Sequence, residues 1–116
     1  MSGLAMTKPW QPLTAMNVAA VPGQLGVFEV ASEKHTVLHI GYAGGREPFG
    51  LRSALERALE AGPDRSAGGA EVFRFELTHG YLTRWEELLM VHQAMHGTLP
   101  PGNADHPHTL GRLTIT

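Results

Sequence analysis

Three kinds of side chain in this chain can do chemistry near neutral pH: imidazoles, guanidiniums and carboxylates. Cysteine is absent, which removes disulfides, thiolate metal sites and cysteine nucleophiles together. His39 stands at the end of an apolar run. Its imidazole titrates near neutrality, so it can act as a general base, or it can be a hydrogen-bonded structural group at a strand end. Tyr42 offers a phenolic hydroxyl or simply covers the sheet edge. Arg52 lies near the start of a helical pattern, beside its apolar stripe, where a guanidinium can grip a phosphate with two N–H groups. The plainer reading pairs it with Glu56 one turn on, worth a few tenths of a kcal/mol. His92 falls in the middle of the helical face made by Trp85, Leu88, Leu89 and Met95, at roughly 100° per residue. His106 and His108 form an H-x-H in a proline-containing segment that reads as solvated loop. Gly44-Gly45-Arg46 can turn backbone N–H groups toward a phosphate, but without P-loop spacing it reads as a turn.

The elements that must position these groups centre on GVFEVASEKHTVLHIG, residues 26–41. Two short apolar runs flank the polar break Ser32-Glu33-Lys34-His35, the pattern of a β-hairpin. A hairpin alone is marginal in water, so a third strand and amphipathic helices must cover it. Strands are expected near 25–31, 36–41 and 71–77, the last from Val72, Phe73, Phe75 and Leu77 alternating with Arg74 and Glu76. Thr14 is placed to cap a short helix over 15–20, which Val21-Pro22-Gly23 ends. Tyr42 to Pro48 reads as loop. Phe49 to Ala61 is the clearest helix, with Leu51, Leu55, Ala58 and Leu59 on one stripe, stopped by Gly62-Pro63. Residues 63–69 form a polar connection. Thr83-Arg84-Trp85-Glu86 has capping-box spacing for a helix over 84–96 that Gly97 stops. Leu110, Leu113 and Ile115 alternate, so the tail is either an edge strand or disordered. Leu55, Leu59, Leu88, Leu89, Val27, Ile40 and Phe75 are expected to be buried together.

At 116 residues the chain suits one domain. Residues 1–9 read as a flexible N-terminus, 10–103 as the domain and 104–116 as a C-terminal tail. No export signal and no run of eighteen apolar residues is readable, so a membrane is not expected and a cytoplasmic setting is. The formal charge of −2 gives no general pull toward nucleic acid, whose non-specific binding comes from basic groups neutralising phosphates. A local basic face is still open to Arg46, Arg52, Arg57, Arg74 and Arg84, with a mixed solvated surface as the plainer reading.

Gly26-Val27-Phe28 and His39-Ile40-Gly41 resemble altered copies of the two tripeptides that name the GIY-YIG nuclease superfamily. The entry Val21-Pro22-Gly23, the arginine-bearing helix, the third strand and a helix ending in Leu99-Pro100-Pro101-Gly102-Asn103 follow the family's order from about Val21 to Asn103. The resemblance implies an α/β (α+β) fold, with a small central, mainly antiparallel three-stranded sheet flanked by helices. It implies a divalent-metal-dependent endonuclease acting on phosphodiesters of DNA or RNA, with Mg2+ or Mn2+ as the ion. Phe28 stands at the family's first tyrosine and lacks the hydroxyl, His39 at the second, and Tyr42 where the family often has lysine. Arg52 stands at the catalytic arginine, so the implied catalytic set is Arg52, His39 and Tyr42. Counting back from Pro101 and Asn103 without gaps puts the metal glutamate at His92, and Glu87 takes that role only if the helix register differs. The alternative implied by these departures is a catalytically degenerate GIY-YIG-fold domain that binds nucleic acid or a protein partner.

Overall fold

A computed structural model describes residues 5–61 and 70–103. The expectations that fall on residues 1–4, 62–69 and 104–116 lie outside the described residues. They include the Gly62-Pro63 stop, the polar connection, the H-x-H pair and the alternating tail.

The described chain is a mixed α+β structure whose elements run β1 (Gln11–Pro12), α1 (Ala15–Ala19), β2 (Gly26–Ala31), β3 (Val37–Ala43), α2 (Gly50–Ala61), β4 (Val72–Leu77) and α3 (Tyr81–His96). A 3-10 turn, Pro101–Asn103, follows. The sheet is antiparallel throughout, in the order β1-β4-β2-β3. It therefore has four strands where three were expected. The extra one is only two residues long, too short to show a period, and it exists because Gln11 and Pro12 pair with Phe73 and Val72.

β2 is the centre, hydrogen-bonded on both edges and buried along all six residues. Alternate side chains point to opposite faces of a sheet, and here both faces are covered. On one face Phe28, Val30 and Phe73 pack with Val18, Val21, Leu51 and Leu55, under α1 and α2. On the other, Val27 and Ile40 pack with Met6, Leu88, Leu89 and Leu99, under α3. The expected single core is thus two half-cores, with Leu55 on one side and Leu88 on the other. Leu59 and Phe75 are only partly buried. Met6, within the stretch read as flexible, is 2% exposed.

The hairpin turns through Ser32 to Thr36, where the Thr36 amide donates to Ser32 Oγ at 3.2 Å and the His35 amide to the Ser32 carbonyl at 2.8 Å. A register shift between Val30 and Ala31 makes Leu38 a bulge, and β3 runs on through Tyr42 and Ala43, which had read as loop. Thr14 caps α1 as expected, its Oγ1 accepting from the Asn17 amide at 3.2 Å. Gly97 ends α3 at φ +80°, its amide donating to the Gln93 carbonyl. The capping box is not formed. α3 starts at Tyr81 behind Gly80, the Arg84 amide closes the first turn on the Gly80 carbonyl at 3.0 Å, and Thr83 and Glu86 are already inside the helix.

Candidate functional site

The two glycines of the paired tripeptides have a packing reason. A Cβ at Gly41 would overlap the Phe28 ring and press on the His39 imidazole, and one at Gly26 would overlap the Glu76 carbonyl and Leu51. Bare backbone at Gly41 lets the Phe28 ring lie across β3, with its centroid 6.0 Å from that of His39. His39 Nδ1 is 3.2 Å from the Gly102 carbonyl, so the imidazole is held between the sheet and the 3-10 turn. The strand register puts His39 opposite Val30 and Gly41 opposite Phe28, hence on the face that α2 covers.

Arg52 belongs to that side. Its Nε donates to the Val21 carbonyl at 2.9 Å and its guanidinium lies 5.9 Å from the exposed Phe49 ring. The pair with Glu56 is not made. Among the described residues no carboxylate ion-pairs with Arg52.

The other three expected residues are on the opposite face. Tyr42 stacks on Tyr81 at 5.6 Å and meets the Trp85 edge at 5.0 Å. Glu87 accepts from Arg84 Nη1, and the same arginine makes a two-bond fork with Glu76, so this carboxylate is spent on an ion-pair network. Those bonds hold the Glu76 carboxyl below the ordinary range and push the Arg84 guanidinium further up. His92 sits with its Nδ1 3.0 Å from the Thr98 carbonyl and its ring 4.4 Å from that of His96. Burial lowers its pKa, the Thr98 contact partly offsets that, and His96 lowers it further. The sheet therefore stands between Arg52 with His39 and Tyr42 with Glu87 and His92. Among the described residues no three His, Asp or Glu side chains are grouped to hold a metal ion.

Two polar features escaped sequence reasoning. Asn103, 2% exposed, acts as a strand partner to the edge of β3: its Oδ1 accepts from the Ile40 amide at 2.8 Å and its Nδ2 donates to the Ile40 carbonyl at 2.9 Å. Trp85 Nε1 donates to the same carbonyl at 2.8 Å. The second is a buried ion pair. Glu29, 4% exposed in the middle of β2, accepts from Arg74 Nε at 2.8 Å, and the Arg74 guanidinium lies 4.1 Å over the Trp10 ring. Burial pushes the Glu29 carboxyl up in spite of that arginine. The signal was a lone glutamate inside the apolar run GVFEVA, matched by an arginine inside VFRFEL. Glu29 and Arg74 are direct register partners.

An antiparallel sheet with helices on both faces defines a small α+β domain. Within that class, the chain belongs to the family described as a domain of unknown function, DUF7508, whose model matches residues 4–95. No curated protein and no solved structure matches the chain. No helix among the described residues is long and apolar enough to cross a membrane.

Proposed function

We propose that the chain is a GIY-YIG-like domain that has lost phosphodiester chemistry and binds a protein partner in the cytoplasm. The observation that carries the reading is the division of the expected site. Arg52 and His39 lie on the α2 side of the sheet, Glu87 and His92 on the α3 side, and Glu87 is already engaged by Arg84. A metal-dependent cut needs the cation, the base and the metal ligands to converge on one phosphate. The choice of a protein over a nucleic acid rests on charge. The chain has no basic surplus, with a formal charge of −2, and Arg57, Arg74 and Arg84 are each paired with a carboxylate, so three of the five arginines open to a basic face are already neutralised. Large apolar side chains are meanwhile open to solvent, with Phe49 58%, Leu82 49% and Leu77 47% exposed.

One observation favours the nuclease reading with Mg2+ or Mn2+. Arg52 carries no carboxylate partner among the described residues and shares its side of the sheet with His39. Fluorescence anisotropy with labelled single-stranded and duplex DNA and RNA separates the classes. The binding-domain reading predicts no salt-dependent association at physiological ionic strength. Tight binding that weakens steeply with salt and is lost in Arg46→Ala with Arg52→Ala contradicts it.

A further inference from the structure

On the α3 side, a cavity of about 180 Å³ opens between the N-terminal segment and the second half of α3. Glu29 and Arg74 line it, and so do four rings, Trp10, His35, His92 and His96. Leu88 and Val91 supply apolar wall. His35 is the one non-glycine residue at positive φ among the described residues, at +69°, and its ring lies 5.4 Å from Trp10. Such a conformation is uncommon away from glycine, and here it belongs to a residue that faces the cavity.

The ion pair is only half used. Glu29 Oε1 takes Arg74 Nε, and Arg74 Nη1 donates to the Lys8 carbonyl at 3.3 Å. Glu29 Oε2 and Arg74 Nη2 have no hydrogen-bond partner among the described residues, although neither is an enclosed orphan. Glu29 is 4% exposed and lines the cavity, as does Arg74. An acceptor and a donor thus stand on neighbouring strands, the donor beneath the Trp10 ring.

We infer that this cavity binds one small, neutral, planar molecule that presents a hydrogen-bond donor beside an acceptor, the edge of a carboxamide or of a nucleobase. The donor meets Glu29 Oε2 and the acceptor meets Arg74 Nη2, completing both groups at once. Neutrality follows from the pair, whose charges already balance. A carboxylate would face Glu29, and an ammonium would add a cation beside Arg74. Size follows from volume, which is well below the roughly 300–1,000 Å³ of sites for drug-sized ligands and suits a single ring. The inference does not rest on the fate of the nuclease residues.

The test is a titration of the 15N-labelled full chain with benzamide, with cytosine and with benzoate, following the Trp10 indole N–H and the Val91 and His92 amides. Saturable shifts with benzamide alone assign a carboxamide ligand, and with cytosine alone a nucleobase. Both bind if the edge is read without further selection. In each case benzoate leaves the signals unmoved. Glu29→Gln puts an N–H where the acceptor stood and weakens binding at least tenfold. Met95→Trp, at a cavity position that is 67% exposed and so tolerant of substitution, fills the space and does the same without touching the ion pair. Absence of saturable shifts with both neutral probes, equal binding of benzoate, or affinity unchanged in both variants overturns the inference.

Discussion

Asn103 is the residue on which the open edge of the sheet depends. β3 is an edge strand, and without the Asn103 amide the outward N–H of Ile40 would be unpaired there, while its C=O would keep the Trp85 indole N–H. Asn103→Ala strands the buried Ile40 N–H, a loss of about 1–3 kcal/mol. Urea unfolding measures it, and a change below about 0.5 kcal/mol, the level of surface substitutions, would show that another group takes over. No local pattern announces this role, because the two residues are 63 positions apart and an asparagine after two prolines reads as loop. Glu29 was passed over, and Arg74 read as part of a basic or mixed solvated surface, for a related reason. Charge within an alternating strand reads as a solvated face, and only pairing across β2 and β4 turns it into a buried pair. His39, Arg52 and His92 were legible as candidate groups. The sheet faces that separate them were not, since a face is assigned only when the helix that covers it is known.

The helices were the most legible elements, and their packing is what the sequence hid. The stripe of α2 is real, and the inward face of α3 holds at Trp85, Leu88 and Leu89 but not at Met95, which is 67% exposed; the two helices close on opposite sides of β2. Leu55→Ala and Leu88→Ala should each cost about 2–5 kcal/mol. Because the residues share no cluster, the double variant should lose the sum to within about 0.5 kcal/mol. A larger departure from additivity in urea titrations would mean one continuous core. Arg84 ties α3 to β4 through Glu76. With arginine and glutamate side chains 16% and 20% exposed, the loss in Arg84→Met should fall between the about 0–1 kcal/mol of an exposed pair and the roughly 3–5 kcal/mol of a broken buried one. Folded Glu76 titrates below its ordinary 4.5. The unfolded chain therefore takes up that proton first as pH falls, so the pair's contribution is full above 4.5 and is lost through the lower folded value. Unfolding at pH 7 and at pH 3 should show the gap between wild type and variant narrowing in acid, and a constant gap would place the effect in packing. The start of α3 was misread because the helix begins at Tyr81 with Gly80, itself an accepted N-cap residue, in the cap position, which leaves Thr83 inside the first turn.

Across the whole molecule, a sheet covered on both faces leaves the groups expected to cut a phosphodiester on two different surfaces. The order of strands and helices was readable because each element carries its own period. The site was not, because convergence is a property of the assembled sheet. The direct measurement is cleavage. Purified full-length protein is incubated with single-stranded, duplex and branched DNA and RNA, with Mg2+ or Mn2+, beside Arg52→Ala checked for folding by circular dichroism. A binding domain predicts no product above the metal-only control on any substrate, identical for both proteins. Metal-dependent cleavage by the wild type that disappears in folded Arg52→Ala would contradict the account.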